Sequence, residues 1–426
     1  MQLDRRGLAL STLSAEAAAR YRAATELFLL GLPGAGDAFA AAAAVDPGCS
    51  EAQVGRAFAA LFEGDLPAAT SALGEAEAGA PTERGRGQAA LVRALSELNL
   101  AVALNQGRAH LSRFPRDDLA REAVGLLLFL LGRTAEIAEL YDWLAPQQDA
   151  DWSFAASWSF ACHEAGRLEE SRDLGHQALA VHPDDTFAVH SLTHVAYESG
   201  QHADGLDLLT TFLGATRPID FQQRHLQWHT ALHLLATGDS VGARSLWASA
   251  LAPGAVPTNL GAVEDGSSLL WRWHLYDLGG WDLPWSELGE LARDVAQMPV
   301  TPLPAACAVV VLAALGDDDG LATLLSNADG LAESGLPVPA PVLRAVGEAA
   351  RASFAGSWGD VADALIPVRD RFDQIGGSRA QREVFDDALL YGLVRGNRPE
   401  AARILLEERL SRRPSARESQ LLASVT

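Results

Sequence analysis

Glycine and proline recur on a fixed step, and that step constrains the chain more than any other feature. Gly132, Gly166 and Gly200 lie 34 residues apart, and Gly64 lies twice 34 before Gly132. Each of them, like Gly31, follows an apolar helical segment and precedes another. Pro47, Pro81, Pro115 and Pro183 are spaced by 34, 34 and twice 34 residues. Glycine accepts the left-handed backbone that ends one helix and lets the chain reverse. Proline cannot continue the second helix, so it marks the exit to the next hairpin. One hairpin cannot bury its apolar face alone, whereas neighbours stacked on such a period share a continuous core. The spacing predicts an all-α stack of about eleven helical hairpins.

The clearest unit reads SFAASWSFACHEAG then RLEESRDLGHQALAVHP; the next reads TFAVHSLTHVAYESG then QHADGLDLLTTFLG. Beyond Gly200 the turns expected at Gly238, Gly279–Gly280, Gly316, Gly356 and Gly396 drift to steps of 36 to 41 residues. At 426 residues the chain exceeds one ordinary compact core, and a single repeat array over 1–426 accounts for it. Residues 14–240 carry the regular repeats and 241–426 the longer, degenerate ones. Pro253–Pro257, Met298–Pro304 and Leu336–Pro341 read as connectors within that array.

Composition removes several function classes. All 33 basic residues are arginine, so a P-loop, a Schiff-base enzyme and a protein kinase all lack the lysine their chemistry needs. A net charge of −22 repels polyanions, so neither nucleic acid nor an anionic membrane is expected as a partner. Arg403, Arg409, Arg412, Arg413 and Arg417 alternate with Glu407 and Glu408, which reads as a salt-bridged helix face. Cys49, Cys162 and Cys307 are scattered and form no CxxC pair, fitting buried thiols in a reducing cytoplasm. No secretory signal is apparent, and no apolar run reaches the length of a bilayer span. Abundant alanine without lysine suggests a bacterial, GC-rich genome.

The middle of the chain is built differently from its ends. Ten of the eleven histidines lie between His163 and His274, and nine of the ten tryptophans between Trp143 and Trp285. His190, His194 and Glu198 form one helical stripe; His225, His229 and His233 form a second. The hairpins resemble tetratricopeptide repeats, which implies a right-handed solenoid with the first helix of each hairpin lining a concave groove. Counting back from Gly200 on that pattern puts Phe187, His190, His194, Tyr197 and Glu198 on the groove. Counting back from Gly166 adds His163 and Glu164, and from Gly238 adds His225 and Trp228, with His229 and His233 at the edge.

A narrower resemblance lies in STLSAEAAARYRAA, SWSFACHEAG, VHSLTHVAYESG, HLQWHTALHLL and EDGSSLLWR, which together are similar to the tetratricopeptide repeat protein 38 family. The likeness is weakest beyond about residue 300. Its histidine motif maps to His190 and His194, its tryptophan–histidine motif to His225, Trp228 and His229, and its later polar motif to Asp265, Ser268 and Arg272. The chain departs from that pattern at Gly55–Arg56, where glycine–histidine is expected.

Three readings of the histidines stay open. They are metal ligands, completed by a carboxylate; acid–base or hydrogen-bonding groups on a small ligand; or space-filling core groups bonded across helices. No HExxH glutamate lies between either pair. Trp228 is the tryptophan best placed to stack on a ligand. Arg272 could grip a carboxylate or phosphate, or pair with Glu264 or Asp265. Gly238–Gly242 spells GxSxG, but between two helices it reads as a turn with Ser240 near an N-cap.

The function expected is that of a binding protein whose groove takes a small molecule or a peptide end. His163, Glu164, Phe187, Tyr197, Glu198, Trp228, Asp265 and Arg272 would contact the ligand. The alternatives are a metabolite-tailoring enzyme on the same scaffold, with His190, His194, His225 and His229 catalytic, and a protein–protein scaffold. No cofactor is required, although His190, His194 and His229 could hold a divalent metal.

Overall fold

A computed structural model describes residues 2–79, 82–214, 221–255 and 260–425. Pro81, one of the expected turn markers, and the latter part of the Pro253–Pro257 connector lie outside the described residues. The described chain is all-α. It begins with α1 (Ala15–Leu29), α2 (Ala35–Val45), α3 (Ser50–Glu63), α4 (Leu66–Ala78), α5 (Glu83–Ser96), α6 (Leu100–Arg113), α7 (Asp118–Leu130) and α8 (Thr134–Leu144). The middle holds α9 (Trp152–Glu164), α10 (Leu168–Val181), α11 (Thr186–Glu198), α12 (His202–Leu213), α13 (Phe221–Thr237), α14 (Ser240–Leu246) and α15 (Leu260–Leu275). The rest is α16 (Trp285–Gln297), α17 (Pro302–Leu315), α18 (Asp318–Glu333), α19 (Ala340–Phe354), α20 (Trp358–Leu365), α21 (Arg379–Arg395), α22 (Pro399–Arg412) and α23 (Ala416–Val425). Paired in order, these give eleven hairpins and a closing helix among the described residues, and the architecture is that of a tetratricopeptide-like helical solenoid.

The turns follow the glycine step closely. Gly31, Gly64, Gly132, Gly166, Gly200, Gly238, Gly279, Gly280, Gly316 and Gly356 all have positive φ. The step left blank between Gly64 and Gly132 is filled by Leu98, which takes φ 57° just after α5. Gly396 departs from expectation: its φ is −77°, and the left-handed residue is Asn397 at 58°. Asn tolerates that conformation better than most side chains. Helix starts are capped by short polar side chains, such as Ser14 on Ala17 N, Thr82 on Gly85 N and a Ser378–Gln381 capping box. In the GxSxG segment the cap is Asp239, whose carboxylate accepts from Gly242 N at 2.8 Å. Ser240 is therefore the first helical residue of an ordinary turn, not the cap itself.

Packing divides the chain into two compact units. One comprises Met1–Leu128, Thr134–Ala161 and Asp173–Ala188; the other comprises Phe129–Arg133, Cys162–Arg172 and Val189–Thr426. In the first unit α1, α3 and α5 pack in succession. The N-terminal segment is tied down by buried ion pairs, Arg84 to Asp4 at 2.7 Å and Arg5 to Asp118 at 2.8 Å.

In the second unit α13, α15, α17 and α19 succeed one another as an inner row. α17 is buried on every side from Pro302 to Ala313, as an all-apolar helix must be. The tryptophans mostly lock these helices together. Trp273 and Trp281 meet edge-on at 4.9 Å, and Trp271 meets Phe385 at 6.0 Å. No helix among the described residues is long and apolar enough to cross a membrane, and the three cysteines are buried free thiols.

Candidate functional site

The two histidine stripes meet in the second unit. Both are on first helices of successive hairpins, α11 and α13, and the four-residue spacing points each pair along one face. Ring centroids lie 4.5 Å apart for His190–His194, 5.0 Å for His190–His225, 4.4 Å for His194–His229 and 4.8 Å for His225–His229. One nitrogen from each of the four lies within 4.8 Å of the other three. A fifth ring, His163 of α9, sits 4.5 Å from His194.

Polar contacts organise this cluster. The Nε2 atoms of His190 and His194 are 2.9 Å apart, so one donates to the other. Nδ1–H of His225 donates to Asp265 Oδ1 of α15 at 2.9 Å, which fixes the orientation of that ring. His229 is wholly buried, and neither of its nitrogens has a hydrogen-bond partner among the described residues. Such a group costs about 1–3 kcal/mol if nothing else engages it. His190 is the one member of the four that is only half-buried.

Burial, reinforced by the neighbouring imidazoles, holds His190, His194 and His229 well below the ordinary histidine value. Burial also pushes His163 down to about 4. His163, His190, His194 and His229 are thus neutral rings at physiological pH. Close by, burial raises the Glu264 carboxyl to about 8, and the charge of Asp265 adds to the effect.

Trp228 is buried to 0% exposure and stacks on His225 at 5.1 Å and 15°. It fixes that ring and offers no face to a ligand. His233 does not join the cluster; it bonds to Thr193 Oγ1 at 3.1 Å and to His202 Nδ1 at 3.2 Å. Phe187 packs within the first unit against Ala155, Ala156, Ala178 and Ala188.

The remaining candidates meet α21, a helix that local sequence gave no reason to place here. Arg379 N donates to Glu164 Oε1 at 3.1 Å, and Gln381 Nε2 donates to Glu264 Oε2 at 3.3 Å. The Tyr197 hydroxyl donates to Glu383 at 2.7 Å. Arg272 was expected to grip a ligand's carboxylate or phosphate, or else to pair with Glu264 or Asp265. Instead it donates to Ser268 Oγ and Ala380 O and faces Asp387 at 3.4 Å. Its guanidinium is already matched within the fold, because α21 brings a carboxylate and a carbonyl that no nearby residue could supply. Glu198 is buried, and its carboxyl is raised chiefly by that burial.

The basic stretch also divides. Arg403 and Arg412 make the expected pairs along the helix surface. Arg409 and Arg413 are buried against Glu383, Asp387 and Glu418. That acidic trio also converges within 4.8 Å, but these arginines neutralise it, so it is a structural network. Local sequence gave no sign of α21 at this place because its contacts with Glu164, Tyr197, Glu264 and Arg272 each cross more than a hundred residues.

No family model matches the chain. Among solved structures it is similar to the P58(IPK) TPR domain, at 14% identity and TM-score 0.22, over 81% of this chain and 97% of that one. It is also similar to Naa15/Naa10 bound to HypK, at 12% identity and TM-score 0.26, over 96% of this chain and 65% of that one. Scores this low superpose helices only loosely, and the fold assignment rests on the helix order and turns described above.

Proposed function

We propose that this chain is a ligand-binding helical-repeat protein and that the imidazole centre of α11 and α13 is its binding site. The observation that carries this reading is the convergence of His190, His194, His225 and His229 onto one point, with His229 buried and unsatisfied. A packed core satisfies its polar atoms, and leucine would fill the same space at no polar cost. Because His190 is half-buried, a small ligand has an approach on that side.

A small ligand is favoured over a peptide. Tyr197, Glu164 and Arg272 stand at inner-row positions that would grip a peptide, and α21 already engages them. The second reading, an enzyme using acid–base chemistry at the same centre, is favoured by the 2.9 Å contact between His190 and His194, since such a pair can pass a proton. Within this reading the protein is a bacterial relative of the tetratricopeptide repeat protein 38 family that works in the cytoplasm, a proposal supported by the likeness of its sequence motifs alone.

The test is native mass spectrometry of untreated protein, followed by thermal-shift screening of small molecules on the wild type and on His190→Ala/His229→Ala. The wild type should retain or take up a low-mass ligand that the double variant does not. Equal behaviour of the two proteins overturns the assignment of the site.

A further inference from the structure

We infer that His190, His194, His225 and His229 form a site for a single divalent transition-metal ion, with Asp265 as the carboxylate that orients His225. This rests on the binding-site reading above and names the occupant.

Four nitrogens within 4.8 Å of one another are close enough to share one ion. Around a tetrahedral ion with metal–nitrogen bonds of about 2.0–2.1 Å, ligand nitrogens stand roughly 3.3 Å apart. The His190–His194 separation of 2.9 Å is a few tenths of an ångström from that value. Small rotations of the two rings would close the difference. Both pairs have the four-residue helical spacing that lets two imidazoles share one ion.

The surroundings also suit a metal. A ligating histidine usually donates its second nitrogen to a carboxylate or carbonyl, which fixes the ring and its tautomer; His225 does this with Asp265 at 2.9 Å. His229, whose two nitrogens find no partner in the described protein, acquires one. An all-imidazole set selects zinc, copper, nickel, cobalt or iron over magnesium and calcium, which prefer oxygen. Asp265 is hydrogen-bonded to one of the four rings, His225, and the four nitrogens form one group, so one ion is assigned. His190, the half-buried ligand, marks the side where water or a substrate atom reaches the ion.

The test uses the full chain, purified without a polyhistidine tag and without chelator, and read by elemental analysis. After chelator treatment it is titrated with cobalt(II), whose visible absorption reports tetrahedral nitrogen coordination. About one ion per chain is expected, with a cobalt spectrum of tetrahedral type. His194→Ala and His229→Ala should abolish uptake, and Asp265→Asn should weaken it about 10–100-fold. His202→Ala and His233→Ala, which alter the neighbouring pair, should leave stoichiometry unchanged.

A folded wild type, judged by circular dichroism, that neither carries metal nor binds cobalt overturns the inference without using any variant. So does uptake that survives loss of His194 and His229. If metal is absent while the mass-spectrometric ligand is still lost in His190→Ala/His229→Ala, the metal inference alone fails and the binding site stands.

Discussion

The Tyr197 hydroxyl donates to the Glu383 carboxylate at 2.7 Å, and the same carboxylate pairs with Arg409 at 3.1 Å and with Arg413. α11 is thereby tied to α21 and α22 through one buried anion. Tyr197→Phe removes one donor to a charged acceptor and should cost about 1.5–3 kcal/mol. Glu383→Ala leaves two buried arginines under-matched and should cost about 3–5 kcal/mol. Arg403→Ala, at the surface, should leave the denaturant midpoint unchanged. Urea titrations of the three variants give the comparison, and a surface-sized loss in Glu383→Ala would contradict the buried network.

Two turn glycines that look equivalent in sequence should respond differently to alanine. Both are left-handed, Gly132 at φ 67° and Gly166 at φ 79°. A Cβ on Gly166 would meet nothing within 4 Å, whereas on Gly132 it would lie 1.9 Å from the carbonyl oxygen of Asp373. Gly166→Ala should therefore cost only the backbone penalty, about 1–2 kcal/mol. Gly132→Ala should exceed that clearly, because backbone must move. Thermal melts of the two variants side by side test the order.

Leu98 holds the left-handed conformation at φ 57° that glycine holds elsewhere in the array, and it remains 38% exposed. Leu98→Gly relieves the strain and gives up little burial, so it should raise stability by about 1 kcal/mol. Chemical denaturation measures it, and a destabilised variant would show that the leucine contact outweighs its backbone strain.

The two units should yield to acid in different windows. In the second unit, burial lowers His202 to about 4, helped by the Arg413 charge, and lowers His233 to about 3, helped by His202. The unfolded chain takes up these protons first, so stability falls as pH drops from about 6.5 towards those values. In the first unit, burial disfavours the Asp117 anion, but Arg84 and His110 outweigh it and hold the carboxyl far below its usual range. Asp151 is likewise held low by Arg5 against the opposing effect of burial.

Stability from these carboxylates is intact above about pH 3.9 and is lost only below it. Burial raises Asp185 of this unit to about 7 and Glu264 of the second to about 8, so each contributes more as pH falls towards 4 and the two offset one another in the comparison. Hydrogen exchange at stepped pH should show the second unit opening at a higher pH than the first. Simultaneous opening would contradict these assignments.

The sequence by itself determined the helical class, the hairpin count and the residues at most reversals. These depend on local backbone physics: left-handed glycine, interrupting proline and apolar periodicity act within a few residues of themselves. It also singled out His190, His194, His225 and His229, because four-residue spacing fixes a helix face whatever lies opposite. Only the tertiary structure decided what those faces meet.

That Asp265 rather than Glu264 holds His225, that Arg272 lies over the Trp228 ring, and that α21 engages Arg272, Tyr197 and Glu164 all depend on approaches between residues 40 to more than 200 positions apart. No short-range pattern encodes such approaches. They follow from tertiary packing, which many side chains set at once. The same rule separates Gly132 from Gly166: both obey the turn, and only the neighbour brought by the fold tells them apart.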